Sequence, residues 1–215
     1  MAIKCLVFDC DGVLIDSVHV KTHAFARLVE AYPKEQQEAF LDYHQKNGGV
    51  SRYKKFAWFF ENFLDHPITP EESEAWGNKF SAICFEELLK CKLIAGTLDT
   101  LTFWQGKLPL YVCSGAPGAE QREVLTSHNL AKYFQDILGS PPAKAELLAQ
   151  IVDLAHVSPK ETLMVGDATT DLNAARQVGT LFYGVGDLLK GGDYPWGPDL
   201  QKITQFILDY NEANP

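Results

Sequence analysis

The stretch Phe8-Asp9-Cys10-Asp11-Gly12-Val13-Leu14 is the most informative in the chain. It closes the first apolar run, Ile3 to Phe8, which reads as a buried parallel strand. In an extended chain Asp9 and Asp11 lie on one side and Cys10 on the other. Gly12 lets the backbone turn tightly behind them. Two acids crowded at a strand end are costly without positive charge between them. A divalent metal, or a phosphoryl group in transfer, answers that need. A capping Asp followed by a turn Asp is the plainer account of the same residues.

Outward from this strand the pattern changes twice. From Ser17 to about Lys92 apolar residues recur at helical spacing, over Val18–Ala31, Lys34–Gln45, Tyr53–Leu64 and Pro70–Leu89. Pro33, Gly48-Gly49 and the Pro67/Pro70 region punctuate them. After Ile94-Ala95-Gly96 strands alternate with helices. Strands are expected at Leu108–Cys113, Asp136–Leu138, Thr162–Val165 and Thr180–Tyr183. Helices are expected at Gly118–His128, Ala143–Ala155, Thr169–Val178 and Asp199–Tyr210. Gly191 through Pro198 reads as a loop. This order predicts an α/β fold, a doubly wound and mostly parallel sheet forming a Rossmann-like core, with an all-helical domain inserted after the first strand. The core is residues 1–16 and 93–215 and the insert residues 17–92. The two crossings between them are candidate hinges.

Composition narrows the function. With 46% hydrophobic and 12% aromatic residues, the 215-residue chain can bury a real core. A formal net charge of −9 argues against nucleic acid as the main partner. It also means that an anionic substrate needs local positive charge or a metal. The five cysteines form no C-x-x-C pair, so a reduced, cytoplasmic protein is expected. No secretory signal is visible, and no apolar run approaches a membrane span.

In an open parallel sheet, ligands bind beyond the carboxyl ends of the strands. Those ends read Asp9-x-Asp11-Gly12, Cys113-Ser114-Gly115 and Gly166-Asp167, with Asp171 one helical turn after Asp167 and Lys144 opening an intervening helix. Singly, each has an ordinary explanation. Ser114 and Asp167 suit helix caps, Lys144 a solvated surface, and Asp171 the positive end of a helix dipole. Their order and spacing together point to one site.

That order, Asp-x-Asp-Gly-Val-Leu, strand-Ser-Gly, Lys, Gly-Asp-x-x-x-Asp, resembles the haloacid dehalogenase-like hydrolase superfamily over nearly the whole chain. It looks closest to members with a helical cap after the first motif, such as phosphoglycolate phosphatases and β-phosphoglucomutases. The resemblance implies Asp9 as nucleophile and Asp11 as general acid and then base. It implies Mg²⁺ held by Asp9, Asp11 (through its backbone carbonyl) and Asp167, with Asp171 orienting a metal-bound water or Lys144. Ser114, Gly115 and Lys144 would hold the phosphoryl oxygens. Dehalogenases of the superfamily lack an acid at the position of Asp11, which favours phosphoryl transfer here.

The helical insert resembles the family's cap. Gly49-Val50-Ser51-Arg52 is similar to a cap loop whose arginine meets an anionic part of the substrate, and the first turn of a solvated helix explains Arg52 equally well. Lys54 and Lys55 are expected at the surface, and Phe56, Phe59, Phe60 and Phe63 in the cap core. The mutases carry a cap histidine twelve residues after the nucleophile; here that position is Lys21, between His19 and His23. A phosphatase acting on a small anionic phosphorylated metabolite is therefore expected. A phosphomutase, a phospho-acceptor signalling domain and a catalytically silent binding protein are the alternatives. Lys79 is undecided between site and solvent.

Overall fold

A computed structural model describes all 215 residues. Six strands, β1 (Cys5–Phe8), β2 (Leu110–Pro117), β3 (Asp136–Ser140), β4 (Thr162–Gly166), β5 (Leu181–Val185) and β6 (Trp196–Gly197), form one sheet in the order β3-β2-β1-β4-β5-β6. Every pairing is parallel. The chain winds outward from β1 on one side through β2 and β3, and on the other through β4 to β6. The topological switch point therefore lies at the carboxyl end of β1, where such sheets bind ligands.

The alternation of β1 divides the core between two faces. Leu6 and Phe8 pack with Val112, Leu163, Leu101 and Ile203. Cys5 and Val7 pack on the opposite face with Leu147, Leu148, Ile151 and Ala175. The first face is covered by α5 (Thr97–Trp104), α6 (Gly118–Ser127) and α9 (Ile203–Ala213), and the second by α7 (Lys144–Ala155) and α8 (Thr169–Val178). Full burial of side chains such as Leu6 or Phe8 is worth about 1.5–3 kcal/mol each, so a polar substitution in β1 would weaken both layers.

Two elements differ from the sequence expectation. The helix α5 falls in a stretch for which none is anticipated. Its Leu98 and Phe103 are exposed, so its apolar residues do not define one face, and its start depends on the left-handed Gly96. The stretch read as a loop contains β6, whose two residues pair with Gly184 and Val185. A two-residue strand among glycines and prolines leaves no periodic signal.

Between β1 and α5 the chain forms four helices: α1 (Val18–Leu28), α2 (Lys34–Lys46), α3 (Arg52–Phe63) and α4 (Pro70–Leu88). The start of α4 is set locally. Thr69 Oγ1 accepts from the Glu72 amide, Glu72 accepts from the Thr69 amide, and Pro70 occupies the first turn. The insert is closed around aromatic rings, with Phe25, Phe40, Phe56, Phe59 and Phe80 buried. Its entering and leaving segments run side by side: Ile15 bridges Leu93, and the Asp16 amide donates to the Lys92 carbonyl at 2.9 Å.

Candidate active site

Register brings the strand-end residues to one level. Phe8 pairs with both Val112 and Val165, so Asp9, Cys113-Ser114 and Gly166-Asp167 emerge together from adjacent strands. Asp9 is buried. One of its carboxylate oxygens accepts from the Cys10 amide at 2.7 Å and the other from Lys144 Nζ at 2.8 Å. Lys144, in the first turn of α7, also donates to Asp171 Oδ1 at 2.5 Å. The second oxygen of Asp171 accepts from the Ala168 amide at 3.0 Å, which fixes it at the start of α8.

Asp9, Asp167 and Asp171 each offer a carboxylate oxygen, all within 4.8 Å of one another. Lys144 is the one ammonium paired with this group. Burial pushes Asp9 up to about 7, with Asp171 and Asp11 adding to the rise against the pull of Lys144. Burial, then Asp9 and Asp171, push Asp167 up to about 8. Burial works against the charged form of Lys144, but Asp171 and Asp9 outweigh it and hold the ammonium well above its usual range. With all three carboxylates ionised, one ammonium leaves two negative charges in a water-poor site, which is why burial and mutual repulsion raise Asp9 and Asp167. A hard divalent cation such as Mg²⁺ fits that donor set. The Asp167 carboxylate occupies the space that a side chain at position 12 would need. Gly12, at φ +82°, thus serves both the turn and the packing of the acidic group.

Asp11 turns its carboxylate away from this cluster. It accepts from Ser17 Oγ at 2.5 Å and from Gln121 Nε2 at 3.3 Å, and lies 3.5 Å from Lys21 Nζ. Burial alone would raise it, but Lys21, the Ser17 hydrogen bond and Arg52 outweigh burial and hold it below the usual carboxylate range. Among the residues expected to hold metal, Asp11 therefore contributes no side-chain oxygen to the cluster. Only its backbone carbonyl is left for that role.

Ser114 is buried at the end of β2, where its hydroxyl oxygen accepts from the Ala116 amide at 3.1 Å. Gly115 faces the Gly49 carbonyl of the insert so closely that no side chain fits there. Thr170 Oγ1 donates to the Gly48 carbonyl at 2.8 Å, a second contact of the same loop with the core. A cavity of about 200 Å³ remains between core and insert. Asp9, Asp11, Ser114, Gly115 and Asp167 line it from the core, and Lys21, Arg52 and Lys55 from the insert.

Arg52 is buried and reaches this cavity. It donates to Ser81 Oγ at 2.7 Å and Glu120 at 2.5 Å, and its guanidinium lies 4.5 Å from the centre of the Phe80 ring. Ser81 also donates to Glu120, at 2.8 Å, and Lys21 Nζ lies 3.7 Å from it. Glu120 of α6 thus gathers three helices of the insert. Lys55 is not at the surface, contrary to expectation: it is 2% exposed, because the α3 face that carries Phe56 and Phe59 also turns it inward. Lys54 and Lys79 are exposed. His19 and His23 lie near Asp16 and Glu87 on the outside and do not line the cavity. Phe56, Phe59 and Phe60 are buried in the insert, with Phe63 half-buried beside them. Sequence reasoning missed Glu120, Gln121 and His44. The position of Glu120-Gln121 just after Ser114-Gly115, in the first turn of the next helix, is the signal that could have found the first two.

The haloacid dehalogenase-like hydrolase family model matches residues 3–179. The chain belongs to this family. Similar proteins include a phosphoglycolate phosphatase of Vibrio parahaemolyticus, 27% identical over 192 residues that cover 85% of this chain and 83% of that one. A phosphorylated carbohydrates phosphatase of Thermotoga maritima is 27% identical over 198 residues, 88% of each chain. In fold, the chain matches β-phosphoglucomutase of Clostridium difficile with a TM-score of 0.79 at 17% identity, over 98% of both chains. The family's hydrolase class and its phosphatase-named relatives make the chain an enzyme.

Proposed function

We propose that the enzyme is a Mg²⁺-dependent phosphatase that hydrolyses a small phosphomonoester through an aspartyl-phosphate on Asp9. The observation that carries this reading is the pairing of Asp9 with Lys144 inside a group of three buried carboxylates, at the switch point of the sheet. The relatives named as phosphatases support it.

Asp9, Asp167 and the backbone carbonyl of Asp11 would hold Mg²⁺, with Asp171 fixing Lys144 beside them. When bound, the cation neutralises the carboxylates and draws charge from the phosphoryl oxygens. The Ser114 hydroxyl, the Gly115 amide and the Lys144 ammonium orient those oxygens. A carboxylate oxygen of Asp9 attacks phosphorus, and the bond to the leaving alcohol breaks. Against the effect of burial, Lys21 and Arg52 hold Asp11 ionised in the free site; an anionic substrate that engages those cations lets Asp11 take up a proton from solvent, which it then gives to that alcohol. Asp11 then takes a proton from a water whose oxygen attacks the aspartyl-phosphate, which frees inorganic phosphate and restores Asp9. Lys21 holds the place of the mutase histidine and faces Asp11, which favours water over a sugar phosphate as acceptor.

The cap, residues 17–92, excludes bulk water during transfer. The paired segments at Asp16 and Lys92 act as its hinge. The five free cysteines suit a reducing, cytoplasmic setting. The test is phosphate release from a panel of small phosphomonoesters with Mg²⁺ and with excess chelator. Release that needs the metal supports the reading, and no release from any ester contradicts it.

A further inference from the structure

Lys21 and Arg52 both face carboxylates, Asp11 and Glu120, whereas Lys55 forms no ion pair. Its ammonium contacts the His44 ring at 2.9 Å and the His44 carbonyl at 3.5 Å, and lies 5.2 Å from the centre of the Phe25 ring. The proton positions follow from the neighbouring bonds. Thr22 Oγ1 has one hydrogen and donates it to the Val18 carbonyl at 3.0 Å. Its 3.0 Å contact with His44 Nε2 must then be an N–H donated by the ring. That leaves Nδ1 bare, and it accepts from Lys55. The burial that holds His44 down to about 3, with Lys55 beside it, agrees with a neutral ring.

His44 therefore supports Lys55 without neutralising it. An ammonium has three N–H groups. One is used at 2.9 Å and a second only weakly, so at least one is unused in the cavity wall. On the insert side, Lys21, Arg52 and Lys55 stand against Asp11 and Glu120, an excess of one positive charge whenever Lys55 is an ammonium. A buried cation without a counterion is costly unless a ligand supplies one.

We infer that Lys55, positioned by His44 and Thr22, is a subsite for a second anionic group, so that the substrate is a small phosphomonoester bearing a carboxylate or a second phosphate. This rests on the phosphatase reading for the phosphoryl end. The other end stands on the Lys55 geometry, with Val18, Phe25 and Phe80 lining the cavity against a short carbon linker.

The experiment compares 2-phosphoglycolate, ethane-1,2-diol bisphosphate and ethyl phosphate as substrates for the wild type, Lys55→Met and Lys55→Arg. It also measures binding of 3-phosphonopropionate, a non-hydrolysable analogue of the first, by calorimetry. The wild type should favour at least one doubly anionic ester over ethyl phosphate by about tenfold or more in kcat/KM, the scale of one charge-assisted hydrogen bond. Which of the two it favours separates a carboxylate from a phosphate. Lys55→Met should erase that preference, mainly through KM, and weaken 3-phosphonopropionate binding by a similar factor. Lys55→Arg should restore part of both. Equal kcat/KM for all three esters in the wild type, or a preference unchanged in Lys55→Met, overturns the subsite and leaves the phosphatase intact. If no ester is hydrolysed, the phosphatase reading fails, and the calorimetry then decides the subsite alone: binding lost in Lys55→Met supports it, and equal or absent binding overturns it.

Discussion

The two walls of the cavity are built from opposite charge and by different means. The core wall gathers Asp9, Asp167 and Asp171 around Lys144, with negative charge in excess. The insert wall gathers Lys21, Arg52 and Lys55 around Asp11 and Glu120, with positive charge in excess. The core wall is held by strand ends and helix starts, whose positions follow from sheet register. The insert wall is held by side chains of four helices that meet through their own tertiary packing, with Glu120 and Asp11 of the core tying Lys21, Arg52 and Ser81 to it. The first is suited to a cation and a phosphoryl group, the second to whatever else the substrate carries.

The largest effects are expected at the core wall. Asp9→Asn removes the nucleophile and keeps the shape, so kcat should fall by about 10³-fold or more while the folded circular-dichroism spectrum is kept. A smaller loss would move the nucleophile elsewhere. Asp167→Asn takes one charge out of the buried acidic group. Thermal unfolding should show a metal-free variant more stable than the metal-free wild type, with the stabilisation by Mg²⁺ lost. A wild-type-like response to Mg²⁺ would remove Asp167 from the metal site.

The insert wall should respond more mildly. Glu120→Ala leaves Arg52 and Ser81 without their shared partner and weakens the closure of the insert. We expect kcat/KM to fall about tenfold and small-angle scattering to report a larger radius of gyration. An unchanged radius would mean that closure does not depend on this contact. The smallest effect concerns stability at Lys55. Burial, with Lys21 beside it, lowers its ammonium to about 7. The folded value then lies below the unfolded one, so the cost to the wild type is full below pH 7 and fades as pH rises toward about 10.4. Lys55→Met should therefore raise Tm most at pH 6 and least at pH 10. A Tm difference independent of pH would show that the ammonium carries no such cost.

The same contrast explains what could be read from the chain alone. Asp9, Ser114, Lys144, Asp167 and Asp171 sit where apolar strand runs end and helical runs begin, and those boundaries are visible in the pattern of residues. Their convergence follows from parallel topology. Lys55 was not legible as a buried group. It lies between Lys54 and Phe56, and only the packing of α3 against α1 and α2 decides that it turns inward while Lys54 does not. Arg52 was legible as a residue but not as an ion pair, because Glu120 is 68 positions away. The helix α5 and strand β6 were lost for local reasons, one with its apolar residues on several faces and the other only two residues long.

Whether Asp9 carries the phosphoryl group can be read by rapid acid quench of the enzyme turning over 2-phosphoglycolate with Mg²⁺, followed by peptide mass spectrometry. A phosphoryl adduct on Asp9, absent from Asp9→Asn, is the predicted result. Steady phosphate release with no adduct on Asp9, or an adduct on another residue, would contradict it.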